Sequence, residues 1–439
     1  MSNPVATLFR IPELKDKILF TLFILFVYRL GAHVVAPGID VVALREATSQ
    51  LQGTVFGIYD MFVGGGLSRA TVFALGIMPY ISASIMFQLL AAVFPSIERL
   101  QKEGEDGRKK LTQYTRYATV GLSAVQAYGY AIFVGSIAGA VTMPGMAFTL
   151  IMILALTTGA VFVMWLGEQI TERGIGNGMS LLIFFSIIES LPSALRQTVE
   201  LIGLGEVSAI ALVALLAVML GVVAATIGVT MASRKIPVQI PRKVMGKGRI
   251  REGQKSFIPL RLISAGVMPI IFAQSIIVIP GTFASFSDSA WVAQAASLFQ
   301  PGTFAYYFSY GLLIVFFTYF YTAIIFNPVD LAENLKKQGA FVPGVKPGAR
   351  TAEYIDRVLS RISLPGSLFL VAIAIIPFML LEAVGVPFLG QLFGGTGLLI
   401  VVGVGLDTVQ QMQQHLLLRH YDGFMKRGRV KFRGRQRYM

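Results

Sequence analysis

The sequence predicts an all-α polytopic membrane protein with ten membrane-crossing helices. Three observations carry that expectation. Of 439 residues, 55% are hydrophobic and only 14% are charged, whereas a soluble domain carries about 25% charged residues. Apolar runs recur along the chain at about 20 residues, the length a helix needs to cross hydrocarbon. The runs are continuous, whereas a transmembrane β-barrel shows alternating segments of about 10 residues. Third, the basic residues segregate to alternate connections, which fixes an orientation.

In chain order the expected spans are 18–36, 72–95, 117–138, 147–167, 179–195, 207–231, 262–284, 304–326, 363–384 and 397–414. No small-residue cleavage site follows the first run, so it is expected to stay as a span. Of the 37 Lys and Arg, 33 fall in the N-terminal segment, in connections 96–116, 168–178, 232–261 and 327–362, or after residue 415. Only Arg45, Arg69 and Arg196 fall on the other side, and Arg29 lies inside the first span. The positive-inside rule therefore puts both termini in the cytoplasm. An even number of spans requires the same. Ten spans also allow two halves of five, and an odd set inverts the second half against the first, as in many transport proteins.

Residues 56–67 lie ahead of the second span and are greasy, but too short to cross. They include Asp60 and the triplet Gly64, Gly65 and Gly66, with Arg69 just beyond. Connection 232–261 reads as an extended hairpin turning at the GKG of 246–248, with Pro237 and Pro241 expected to interrupt its strands. Its rim carries Arg234, Lys235, Arg242, Lys243, Lys247, Arg249 and Arg251. In connection 327–362, Asp330 to Lys337 has a helical pattern, PGVKPG is a tight loop, and TAEYIDRVLSRI resumes a helix. Such dense basic loops suit an anionic partner: ribosomal RNA, acidic lipid headgroups or an acidic protein surface.

Several chemistries lack their residues. The chain has no cysteine, which excludes disulfides and thiolate metal sites. The GKG lacks the spacing of a phosphate-binding loop, and the glycines of GIGNG at 174–178 follow no strand. His33 stands apart from His415 and His420, whose i, i+5 spacing does not suit one metal on one helix face. Inside or near the spans, Arg29, Glu189, Glu382 and Asp407 are few for an ion relay.

Between IPELKDKILFTLFILFVYRLG near the N-terminus and LLLRHYDGF near the C-terminus lie FALGIMPYISASIMFQLL, KEGEDGRKKLTQYTRY, ITERGIGNGMSLLIF, AGVMPIIFAQSII, YTAIIFNPVDLAENLKKQGAFVPGVKPG and GGTGLLIVVGVGLDT. In this order, these segments resemble the SecY family of protein-conducting channels over nearly the whole chain. The resemblance implies two inverted halves of five helices, 1–200 and 201–439, around an hourglass pore. A ring of Ile77, Ile81, Ile183, Ile271, Ser275 and Ile400 would seal it midway. Two of its pairs, Ile77/Ile81 and Ile271/Ser275, have i, i+4 spacing and so share a helix face. An apolar constriction blocks ions by dewetting yet grips no sequence.

The resemblance makes residues 56–69 a plug in the outer funnel, drawing on Phe56, Tyr59, Asp60, Met61, Phe62, Gly64, Gly65, Gly66 and Arg69, and held weakly because it must move. It implies a lateral exit tuned by Gln88, Gln126 and Gln274. Ribosome and the ATPase SecA would dock at Arg234, Lys235, Arg242, Lys243, Lys346 and Arg350. The family motif usually carries Arg at the position of Lys346 and an acid at Ala349. Lysine keeps the charge but loses the bidentate fork, and Arg350 follows. The small subunits SecE and SecG and anionic lipids complete the expected partners, with signal sequences and unfolded preproteins as substrates. The implied setting is a bacterial plasma (inner) membrane. With no nucleotide site and no cofactor, the chain is expected to be a passive channel rather than an enzyme.

Overall fold

The computed structural model describes residues 12–49, 55–143, 145–204, 209–239, 243–245, 249–251, 255–263, 266, 268–284, 294, 298–299, 302–383 and 396–427. Arg242 and the GKG turn lie outside them.

Each expected span overlaps a helix. In order these are α1 (Pro12–Gly31), the short α2 (Val41–Ser49) and α3 (Val55–Phe62), α4 (Met78–Val93), α5 (Pro95–Lys102), α6 (Glu105–Gly135), α7 (Met146–Arg173), α8 (Gly178–Gly203) and α9 (Ala209–Met231). After the strands β1 (Ser233–Gln239), β2 (Lys243–Met245), β3 (Arg249–Arg251) and β4 (Lys255–Arg261) come α10 (Met268–Ala284), α11 (Phe304–Ile325), α12 (Pro328–Lys337), α13 (Ala349–Ala383) and α14 (Thr396–Arg427). Among the described residues, four helical stretches are long and apolar enough to cross a membrane by themselves: Glu105–Gly135, Met146–Arg173, Phe304–Lys337 and Ala349–Pro377. A fifth is α4 with α5, bent by 110° where Phe94 and Pro95 interrupt the helix.

Boundaries differ from the expected spans where local chemistry overrides hydropathy. The second run was expected to be helical from residue 72, yet α4 starts at Met78 with Pro79 in its first turn. Residues Phe73, Ala74, Leu75 and Ile77 are as buried as the helix but lie in turns, closed by Ala74 N–H to Thr71 O at 2.9 Å and Gly76 N–H to Phe73 O at 2.8 Å. The basic connection 96–116 is helical at all but Glu103 and Gly104, because α5 runs to Lys102 and α6 begins at Glu105. The GIGNG turn is a helix junction. Asn177 caps α8 by accepting from Met179 N–H at 3.1 Å, and a Cβ on Gly178 would lie 1.9 Å from the Gly167 carbonyl oxygen. Only glycine lets α7 and α8 approach there.

The two basic connections fold together. Strand β1 pairs antiparallel with β4, and β2 with β3, giving the expected hairpin. Pro237 does not break β1; it stands opposite Phe257. The reason is its side of the ladder. Gln239, two residues on, exchanges bonds of 2.9 and 3.0 Å with Phe341, so the Pro237 nitrogen also faces away from β4 and costs no β1–β4 bond. Ile236 and Val238 then point inward with Leu260, meeting Leu335, Val342, Ile355, Leu359 and Ile362 from the second connection. Asn327 caps α12 by accepting from Val329 N–H at 3.1 Å. The α13 helix leaves this small core and continues unbroken to Leu370, Ile373 and Ala374, which belong to the main core.

Truncating fully buried Ile355 to alanine costs about 2–5 kcal/mol, as for other large-to-small core changes. We expect protease cleavage to rise in 232–261 and 327–362 together. Cleavage confined to one connection would mean the two do not share a core.

Candidate functional site

The site is built where α3 enters the main core. That core gathers Ile77 and Ile81, Ile183 of α8, Ile271 of α10 and Ile400 of α14. Each is at most 5% exposed, and Ile400 is fully buried. Ser275 is also buried and turns its hydroxyl back to the Ile271 carbonyl at 2.8 Å, which satisfies it within its own helix. Sequence spacing could place Ile77 beside Ile81 and Ile271 beside Ser275; the structure brings the set from four segments into one cluster.

Met61 and Phe62, at the end of α3, pack in that same cluster, 6% and 4% exposed. The other face of α3 meets a second apolar cluster, where Phe56 lies 5.5 Å from Phe133 and the Tyr59 hydroxyl donates to Leu75 O at 3.3 Å. The chain then turns on Gly64 and Gly65, with φ of 70° and 73°, a left-handed conformation that favours glycine. Asp60 organises this turn. Its Oδ1 accepts from Leu67 N–H at 2.8 Å and Ser68 N–H at 3.0 Å. Gly65 N–H returns to Asp60 O at 2.8 Å, and Gly66 O accepts from Thr71 N–H at 3.0 Å. Arg69 folds back to give its Nε–H to Gly65 O at 2.8 Å and its Nη2–H to Gly64 O at 2.5 Å. The buried Tyr130 hydroxyl adds a bond to Leu67 O at 2.6 Å.

Weak retention is expected of residues 56–69 if they are to move; in this structure Met61 and Phe62 are packed as densely as the core around them. The polar bonds hold the turn's own shape, while the apolar face of α3 holds it in place.

Three residues here went unassigned in the sequence. Glu189 of α8 pairs with Arg29 of α1 and lies 3.6 Å from Arg69. An acid near a span end was a visible signal, but nothing in the sequence named its partners. Tyr130 gave no signal.

The three glutamines separate. Gln88 of α4 accepts from the Tyr321 hydroxyl of α11 and bonds Ser84 Oγ at 3.1 Å through its Nε2–H. It is the one of the three seen to link the first helices to the later ones. Gln274 is buried beside Tyr306 of α11, and its Nε2 makes no hydrogen bond among the described residues. The Gln126 Oε1 is buried without a hydrogen bond among the described residues.

On the two-connection unit, Arg234 and Lys235 are exposed on β1, and the Lys235 ammonium sits 4.8 Å above the Phe257 ring. Lys346 and Arg350 are exposed at the loop before α13 and at its start. Lys243 opens β2 opposite Arg251.

With this geometry in view, comparison with known proteins is decisive. The family model described as SecY matches residues 71–409. The chain belongs to the SecY family. The protein translocase subunit SecY of Aquifex aeolicus (strain VF5) is 44% identical over 433 residues, covering 97% of this chain and 100% of the relative. A solved structure of the SecY protein, whose plug domain stabilises the closed state of the translocation channel and maintains a membrane seal, aligns with TM-score 0.65 at 17% identity, covering 98% of this chain and 100% of that one. Sec61 in the canine ribosome–channel complex from the endoplasmic reticulum aligns with TM-score 0.61 at 17% identity, covering 98% of this chain and 100% of that one. At these identities the two structures establish a shared fold.

An interhelical hydrogen bond in a membrane is worth about 0.6–2 kcal/mol. We expect Gln88→Leu and Tyr321→Phe to shift the hydrophobicity threshold for signal sequences in the same direction, with Gln126→Leu leaving it in place. A graded signal-sequence export series measures this, and a shift only in Gln126→Leu would break the assignment.

Proposed function

We propose that this SecY-family chain is the pore-forming subunit of a protein translocon, passive and without enzymatic activity. It conducts unfolded preproteins and releases apolar segments sideways into lipid. The observation that carries this reading is the seating of Met61 and Phe62 among Ile77, Ile81, Ile183, Ile271 and Ile400. A stub too short to cross thus occupies an apolar cluster to which helices from both ends of the chain contribute.

The working arrangement is ten crossing helices in two inverted halves, residues 1–200 and 201–439, in a bacterial plasma membrane with both termini cytoplasmic. The isoleucines form a constriction that closes by dewetting when no chain is inside. Residues 56–69 stopper its outer side. The lateral exit opens where Gln88 meets Tyr321. Energy comes from partners, since the sequence has no phosphate-binding loop. The exposed cations Arg234, Lys235, Lys346 and Arg350 receive the ribosome or the SecA ATPase, with Arg242 and Lys243 between them in sequence. SecE and SecG complete the complex, and anionic lipids meet the basic rim.

Deleting residues 58–66 and recording in planar bilayers tests the central claim. The wild-type complex is expected to stay silent and the deletion to flicker with ion currents. Silence in both would remove the plug assignment.

A further inference from the structure

Glu189 has a role that the plug reading leaves open. Its carboxylate is largely buried, 10% exposed, at the point where α1, α8 and the turn after α3 meet. Both arginines go to the same oxygen. Arg29 Nη1 pairs with Oε1, and Arg69 Nη2 lies 3.6 Å from that Oε1. The Oε2 atom is buried and makes no hydrogen bond among the described residues. It faces the turn backbone: a Cβ on Gly64 would sit 3.3 Å from it.

The two cations belong to different bodies. Arg29 is in the last turn of α1. Arg69 is bonded to Gly64 O and Gly65 O, so it travels with the turn. His33 stands between them. Its Nδ1–H donates to Arg29 O at 2.9 Å, which leaves Nε2 to accept from Arg69 Nη1 at 3.4 Å.

From this we infer that Arg29 and Arg69 compete for Glu189, and that Arg29 thereby sets how readily the plug leaves. The inference rests on the plug reading above. Charge balance gives its sign. With the plug seated, two guanidiniums share one carboxylate. When the plug leaves, Arg69 moves off and Arg29 stays behind as a neutral pair with Glu189, so departure strands no buried charge. Without Arg29, departure would leave a lone buried carboxylate, which is strongly unfavourable, and the plug would stay seated longer. Without the Glu189 charge, Arg29 and Arg69 would repel each other across the site with only Asp60, which travels with the turn, beside Arg69, and the plug would leave sooner. The two substitutions therefore act in opposite directions.

The chain has no cysteine, so Met61→Cys gives a single thiol at a plug position that is 6% exposed. In the assembled complex, labelling by a membrane-impermeant maleimide from the outer side reports plug departure. On this background Glu189→Gln is expected to speed labelling and Arg29→Met to slow it, each by about tenfold, the ratio that corresponds to about 1.4 kcal/mol. Arg29→Lys, which still competes, keeps a rate near that of the parent. Labelling is scored only on complex that copurifies intact, so slower labelling in Arg29→Met decides the matter even where Glu189→Gln fails to assemble. Shifts in the same direction, or an unchanged Arg29→Met rate, overturn the competition while leaving the plug intact. If the parent labels as fast as a Met146→Cys control, at a position 82% exposed, the plug reading falls and this inference with it.

Discussion

The constraint on which the structure depends is that one apolar cluster must serve two purposes. It is the packing core that holds α1, α4, α7, α8, α9, α10, α11, α13 and α14 together, and it also takes in the end of α3. A folded interior normally has a single well-packed solution. Here a piece of that interior, Met61 and Phe62, is supplied by a short helix outside the long ones. The remaining architecture follows. The turn after α3 is compact, held by Asp60, Arg69 and the glycines within ten residues of chain. The polar groups that cannot enter the cluster are pushed to its rim, as Glu189 and its two arginines illustrate.

The division of labour between apolar and polar contacts is consistent throughout. Apolar surface supplies most of the adhesion and is indifferent to orientation. Hydrogen bonds specify which pieces meet. Tyr321 meets Gln88 across more than two hundred residues of sequence, and Tyr130 meets Leu67. In a medium without competing water, such single bonds give direction to an otherwise slippery interface.

Much of this was legible in the sequence, and the failures have physical causes. Hydropathy located the helices because apolar length is a one-dimensional property. It misplaced the start of α4 because Val72 to Ile77 are as greasy as the helix, and apolarity does not report hydrogen bonding; Pro79 in the first turn was the better signal. Pro237 was expected to break a strand, since the sequence does not say which edge of the ladder its nitrogen faces. Helix spacing paired Ile77 with Ile81 but said nothing of Ile183 or Ile400, which join them only in three dimensions. The same holds for Glu189: its charge was visible, whereas its partner Arg29 lies far away in the chain.

The α13 helix adds a mechanical property. Its first turns are gripped by the small core of the basic connections and its later turns by the main core, at Ile355 and Ile373. At a rise of 1.5 Å per residue, these anchor points stand about 27 Å apart. A rod clamped at both ends converts rotation at one end into travel at the other. Tilting it by about 10° about the upper clamp would carry the lower one sideways by about 5 Å, close to the length of one helical turn. A tilt imposed at the basic hairpin would thus be felt directly in the main core.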